Sequence, residues 1–402
     1  MPLEDWKAYE ASGPAAELLA VPLQPTVADL AALRKDWPQG VVAVAVEAAR
    51  SRNRGASKLA PELVERLFAD EEGVMVASSS MAAAYKARRF AEARATDVLD
   101  LCCGIGADAF ELSRAGVGVT VVDHDPVRAW MASQNAQCEA IVDDVASPAM
   151  LERITGSLVH LDPSRRVGSS RKHDYAAYRP GPGAIERIIE ASAGACVKLG
   201  PGVDFSLLPS PPDSFIEFLS EQGRLTQVLL WTGQLARSQM VEGGCRVATL
   251  LPDEERFVAL PGPLIEADDW YESSGPEQPV LAHVYEADAA LERGSMLGAF
   301  ARSHNLRPIH PAVGVLTGEH VVESPWLARF EVIEAMPWRA KPVKKRLREL
   351  DAGIVTVKTR AKLVDPDVVQ KDLRGKGDEP LTVFVLRLGE KPLAIITRRA
   401  HG

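Results

Sequence analysis

A short apolar run that breaks into closely spaced glycines sets the tightest limit on how this chain folds. Val98-Leu99-Asp100-Leu101-Cys102-Cys103-Gly104-Ile105-Gly106-Ala107-Asp108 reads as a strand, a turn and the first residues of a helix. In α/β sheets such a turn stands at the carboxyl edge, where glycines let the backbone come close to a ligand. A pyrophosphate-binding turn would follow GxGxxG. Here the third glycine is missing beside Phe110, and an acid, Asp100, precedes the turn. Repelling a pyrophosphate makes little sense, so the turn suits a ligand carrying positive charge.

The surrounding pattern fits a doubly wound α/β sheet. Expected strands are Val98–Leu101, Val119–Val122, Ala140–Val142, Leu158–Leu161, Cys196–Leu199, Gln227–Trp231 and Arg246–Leu250. Expected helices between them are Asp108–Arg114, Val127–Asn135, Ala184–Ala193 and Asp213–Glu221, two of them preceded by Pro182 and Pro212. Residues 1–95 read as a helical region, including Ser57–Leu67 and a serine-capped helix over Ser80–Phe90. After about 260 the alternation stops at a stretch rich in proline and serine (Pro261, Pro263, Ser273-Ser274-Gly275-Pro276). The expected organisation is therefore a helical region (1–95), an α/β domain (96–260) and two small α+β domains (261–328 and 329–402).

The acids around the turn narrow the ligand. Asp123 ends the second strand, where a carboxylate can accept both hydroxyls of a ribose. His124 follows it, and Asp143-Asp144 ends the third strand, within reach of an adenine edge. Together with Asp100, Gly104 and Gly106, these residues suit S-adenosylmethionine, whose ammonium and sulfonium would meet the acids. Val98–Gly106, Val119–Asp125 and His160-Leu161-Asp162-Pro163 resemble the motifs of class I S-adenosylmethionine-dependent methyltransferases with their Rossmann-like fold. Cys102 stands where the common turn has glycine, as in the Cys-Gly-x-Gly form of several RNA methyltransferases.

That resemblance implies roles for further residues. The fourth strand would end beside the transferred methyl, so Asp162 would accept from the acceptor nitrogen with Pro163 beside it. Ser164 and Arg165 replace the proline and aromatic that stack a base in related enzymes. Arg165 and Arg166 would instead clamp a phosphate or stack by the guanidinium plane. None of Cys138, Cys196 or Cys245 follows the carboxyl end of a core strand, so direct in-line transfer is expected over a covalent thiol adduct. Lys198, a candidate substrate-binding residue inside an apolar strand, either pairs with a pocket carboxylate or is an edge residue snorkelling to water.

Ala77-Ser78-Ser79 to Ala87, the Asp-Leu-Cys-Cys-Gly-Ile-Gly turn, Leu161–Arg166, Val197–Asp204 and Val284–Ala290 resemble a narrower group. These are bacterial methyltransferases with a small ferredoxin-like insert and a THUMP-like C-terminal domain, which implies an RNA partner. The net charge of −9 argues against that when averaged over the chain. The average hides a polarity. Residues 335–402 hold 16 basic and 8 acidic side chains, against 30 and 47 in the other 334. Lys341, Lys344, Lys345, Arg346 and Arg348 line one expected helix, with Lys358, Arg360 and Lys362 nearby, the footprint of a phosphate contact. Trp338 is either a base-stacking residue or core.

No apolar run approaches the length of a membrane helix, the start of the chain lacks a basic leader, and no CxxC pair suggests a metal site. The reading is a cytoplasmic methyltransferase acting on structured RNA, tRNA or rRNA, with no metal. The alternatives are a small-molecule or protein acceptor, or an RNA-binding protein without activity.

Overall fold

The computed structural model describes residues 1–402 except 14, 165, 168–169, 172–174, 238–245, 252–254, 260–279, 310–313, 361–362, 389–390 and 401–402. The proline- and serine-rich stretch after 260 therefore lies outside the described residues, as do Arg165, Cys245 and Lys362. The chain forms two units, Met1–Ile216 with Gln227–Gly244, and Glu217–Thr226 with Cys245–Gly402.

In the first unit, apolar and β-branched runs form strands β1 (Asp97–Leu101), β2 (Gly118–Asp123), β3 (Glu139–Val142) and β4 (Leu158–Leu161). A two-residue pair follows, β5 (Arg166–Val167) and β6 (Ser170–Arg171), and then β7 (Gly194–Leu199). Two further strands are β8 (Ser214–Glu221) and β9 (Arg224–Thr232), of which residues 217–226 belong to the second unit. The sheet of this unit runs β9-β7-β4-β1-β2-β3. β1, β2, β3, β4 and β7 are parallel, and β9 is antiparallel to β7. From β1 the chain goes to β2 on one side and later to β4 on the other. The gap between the carboxyl ends of β1 and β4 is thus the switch point where doubly wound sheets bind ligands.

Helix starts follow capping chemistry. Ser79 caps the helix Ser80–Glu92 by accepting from the Ala82 N–H, and Asp125 caps Pro126–Ala136 by accepting from Val127. One expected helix is corrected: Asp213–Glu221 is not helical, and its residues from Ser214 form β8. Burial along almost the whole segment erases any periodicity that would tell strand from helix. Gln222 (φ 51°) and Gly223 (φ 75°) then adopt the paired left-handed conformation of a tight hairpin, leading into β9.

The N-terminal helical region shares its core with the glycine turn. Trp6, Tyr9, Val41, Ala45, Leu63 and Leu67 form one apolar cluster with Ile105, Phe110 and Met131. Asn135 fastens the two. Its buried amide donates to the carbonyls of Phe68 (2.9 Å) and Ile105 (2.8 Å), and its oxygen accepts from the Phe68 N–H (2.9 Å). Asn135→Ala leaves three backbone groups without those partners and should lower stability by about 2–3 kcal/mol in urea unfolding.

In the second unit, β10 (Arg246–Leu251) pairs antiparallel with β11 (Glu255–Ala259). The remaining strands are β12 (His283–Ala287), β13 (Arg307–Pro308), β14 (Val315–Gly318), β15 (Leu327–Pro337), β16 (Ala352–Thr359), β17 (Glu379–Leu388) and β18 (Lys391–Arg399). They form one sheet in the order β13-β14-β12-β15-β18-β17-β16. The segments 261–328 and 329–402, expected as separate small domains, both contribute strands to this sheet, joined where β12 pairs with β15. The helices Ala340–Glu349 and Pro366–Leu373 bury Val343, Leu347 and Leu373 against Val355, Val357 and Val383. Trp338 packs on the same cluster, which favours core over base stacking.

Candidate functional site

The turn after β1 bends through three left-handed residues, Cys102 (φ 57°), Gly104 (φ 56°) and Gly106 (φ 77°). At Gly106 the reason is close packing, because a Cβ there would lie 2.7 Å from the Ala132 Cα. At Gly104 nothing lies within 4 Å of a built Cβ, so the backbone is open to a ligand. The helix Ala107–Arg114 begins at Gly106 with no side-chain cap, leaving its first N–H groups and positive dipole end facing the turn. Asp123, at the end of β2, accepts from the Gly104 N–H (3.1 Å) and the Asp125 N–H (3.0 Å). Burial raises its carboxyl above the usual range, against those two hydrogen bonds.

Other acids and thiols take lesser places. His124 is exposed, with Nδ1 3.1 Å from Asp123 Oδ1. Asp144 is exposed and accepts from the Ala146 N–H at 2.9 Å. Burial, and then the charge of Asp123, pushes the Cys102 thiol well above its normal range, which suits a packing residue and not a nucleophile.

Asp100, expected to hold a ligand's ammonium group, is itself held by protein through one oxygen. It is 1% exposed and bonded to protein: Oδ1 lies 2.6 Å from His160 Nδ1 on the neighbouring strand. The other ring nitrogen, Nε2, lies 3.2 Å from Lys86 Nζ. An ammonium only donates, so Nε2 accepts and Nδ1 carries the proton given to Asp100. Lys86 also lies 2.6 Å from Asp108 Oδ1 and donates to Ser78 Oγ at 3.1 Å. Ser78 donates to Asp108 Oδ2 (2.8 Å) and accepts from Gln227 Nε2 (3.2 Å). Burial raises the carboxyl of Asp108, but Lys86, then His160 and Lys198, pull it well below the usual range. For Asp100 burial prevails over His160 and the shift is upward. The sequence reading overlooked Ser78, Lys86, Asp108, His160 and Gln227 as a group. The available signal was Lys86 at helical spacing from the apolar Ala82, Ala83 and Phe90.

At the carboxyl end of β4, Asp162 is about one-third exposed and Pro163 is buried. Lys198, from β7, reaches Asp162 Oδ2 at 2.6 Å, so of its two expected roles it takes that of carboxylate partner. Ser164 bridges to Arg179, and the Tyr178 hydroxyl accepts from the Gly200 N–H at 2.9 Å, tying the chain beyond β4 to the end of β7. Burial pushes the neighbouring Tyr175 phenol up to about 12. Arg165, and the side chain of Arg166, lie outside the described residues.

In the second unit the basic helix is partly neutralised. Lys344 pairs with Asp372 (2.6 Å), Arg346 with Glu334 (2.7 Å) and Lys345 more loosely with Glu349 (3.8 Å). Arg339, Lys341 and Arg348 are exposed and have no acidic partner among the described residues. Lys358 and Arg360 pair with Glu286. Among the described residues no cluster of His, Cys, Asp or Glu is arranged to hold a metal ion, and no helix is long and apolar enough to cross a membrane.

Residues 327–399 match the family described as THUMP domain-like. Over 360 residues the chain is 28% identical to a protein of Mycobacterium tuberculosis strain CDC 1551 / Oshkosh, described as an uncharacterized S-adenosylmethionine-dependent methyltransferase. The match covers 88% of this chain and 94% of that protein, and its counterpart in strain H37Rv matches equally. In fold the chain is similar to a crystal structure from Porphyromonas gingivalis W83 described as that of a methyltransferase. The TM-score is 0.72 at 16% identity, covering 99% of this chain and 98% of that one.

Proposed function

We propose that this chain, an S-adenosylmethionine-dependent methyltransferase with a THUMP-like C-terminal segment, transfers its methyl group to a base of structured RNA, tRNA or rRNA, in the cytoplasm. The observation that carries the RNA assignment is the charge polarity: a net-basic C-terminal stretch, matching a THUMP-like family, in a chain that is acidic elsewhere.

The turn fits the cofactor. The open face at Gly104 leaves room for its backbone approach, and the uncapped N–H groups of the helix Ala107–Arg114 suit its carboxylate. Both Asp123 oxygens keep lone pairs for ribose hydroxyls beside the two backbone N–H groups they already accept from. Asp144 would face the adenine, and the acid-rich surroundings of Cys102 favour a sulfonium. Bound there, S-adenosylmethionine supplies an electrophilic methyl group. Asp162 would accept from the N–H of the acceptor, and positioning would be the main catalytic term.

Lys341 and Arg348 are better phosphate contacts than Lys344 and Arg346, whose charges are already paired within their unit. Lys341→Glu with Arg348→Glu should weaken RNA binding about tenfold at 0.1 M salt and flatten its salt dependence. Filter binding of total RNA across a salt series measures both. Radiolabelled methyl transfer to total RNA from a strain lacking the gene tests the acceptor itself. Transfer to a protein or metabolite fraction, with none to RNA, would overturn the RNA assignment.

A further inference from the structure

We propose that Lys198 is a positioning residue: it holds one oxygen of the Asp162 carboxylate so that the other is presented to the group being methylated. The inference rests on the methyltransferase reading and concerns how the acceptor carboxylate is aimed.

The backbone of Asp162 is already fixed. Its N–H donates to the Leu101 carbonyl at 3.1 Å, carrying the β1–β4 pairing one residue past the strand, and buried Pro163 restricts the residue before it, Asp162 itself. What remains free is the rotation of the carboxylate about its two side-chain torsions. Lys198 removes that freedom by contact with Oδ2 at 2.6 Å. Its own place is well determined, because it lies within β7 with a side chain 9% exposed and Leu229 opposite it in register. A lysine so enclosed is poorly placed to meet a phosphate from solvent. Asp162 keeps about a third of its side-chain surface, and its Oδ1 has no protein partner among the described residues.

The chemistry follows from the pairing. A carboxylate held by an ammonium accepts hydrogen bonds and does not donate them, and the pair as a whole is neutral. The acceptor should therefore offer an N–H and bring no negative charge. The nitrogen lone pair forms the new N–C bond, the electron pair of the breaking S–C bond stays on sulfur, and the surplus proton leaves along the N–H hydrogen bond to Asp162 and then to water. A carboxylate turned away by one torsion would leave the nitrogen misaligned, a change felt in the chemical step more than in binding.

The test uses the full chain with Lys198→Met, Lys198→Arg and Asp162→Asn. Calorimetry should give S-adenosylmethionine affinities within about threefold of wild type for Lys198→Met and Lys198→Arg, because Lys198 is not assigned to hold the cofactor. With methyl-labelled ¹³C cofactor bound, the methyl resonance should move in Lys198→Met in the same direction as in Asp162→Asn, and stay near the wild-type position in Lys198→Arg. With total RNA as acceptor, Lys198→Met should lower kcat about 100-fold with little change in KM, and adding it to Asp162→Asn should cost less than about threefold more. A methyl resonance unmoved by Lys198→Met, or a loss expressed wholly in KM, overturns the proposal, the latter in favour of a direct substrate contact. Wild type without detectable RNA methylation counts against the RNA acceptor and leaves Lys198 to be judged by the resonance. Wild type that binds no cofactor sinks both.

Discussion

Replacing Lys86 by methionine should destabilise the first unit by about 3–5 kcal/mol, which for a unit of this size lowers Tm by roughly 10 °C. The substitution roughly conserves volume, so the loss is electrostatic. Lys86 is 1% exposed, between Asp108 and His160, and without it the hydrogen-bond partners described for two buried carboxylates, Asp100 and Asp108, are an imidazole and a hydroxyl. The pH dependence gives the effect a signature. In wild type the lowered carboxyl of Asp108 contributes stability that is present above the ordinary aspartate range and lost as pH falls through its folded value. The raised carboxyl of Asp100 acts the other way, favouring the fold below the ordinary range and losing that contribution as pH rises through its own folded value. With Lys86 gone, Asp108 should join Asp100 on the raised side. The deficit of the variant relative to wild type should then be smaller at pH 5 than at pH 7. Urea unfolding at the two pH values decides it; equal deficits at both would mean that the carboxylates are not the cause.

Gly106→Ala should abolish measurable cofactor binding, a loss of at least about 100-fold, and Gly104→Ala should separate that effect from stability. At position 106 the new Cβ meets the Ala132 Cα at 2.7 Å and its Cβ at 2.9 Å, on a backbone at φ 77°. Left-handed strain of about 1–2 kcal/mol adds to an overpacking cost of about 1–3 kcal/mol. The least costly relief is for the turn to lift away from the helix Pro126–Ala136, which would disturb the Gly104 N–H bond to Asp123. At position 104 the strain is similar but the space is open, so unfolding should change by only about 1–2 kcal/mol. Binding should still fall, because the methyl occupies the face assigned to the cofactor. Calorimetry beside thermal unfolding for both variants tests the pair; normal affinity in Gly104→Ala would remove that face from the site.

The contrast between these predictions reflects what a sequence can carry. The glycine turn, Asp123 at the end of β2 and Asp162 at the end of β4 are local signals: residue type and strand position are enough to place each near the switch point. The network around Lys86 is not local. Lys86 meets a histidine 74 positions away, Ser78 meets Gln227 across 149, and only the stacking of a helix on three strands brings them together. The strand position of Asp100 is plain in the sequence, whereas its partner His160 comes from another strand. The basic helix shows the same limit. Its cations are plain in the sequence, but which of them are already paired depends on Asp372 and Glu334, supplied by other elements. For β8, burial on both faces left no alternation to read.

The seven-stranded sheet bears on how this protein can be divided. The THUMP-like match begins at residue 327, the first residue of β15, yet β15 has β18 on one side and β12 on the other. A fragment cut at that residue would keep its helices and the β15–β18–β17–β16 ladder but lose β12. One long edge would then present unpaired N–H and carbonyl groups together with Phe330, buried in the intact chain. Such a fragment should self-associate through that edge, whereas one beginning before β12 should remain dispersed. Evolutionary module and physical building block therefore have different borders in this chain: sequence similarity marks the one at 327, and strand pairing sets the other upstream of His283.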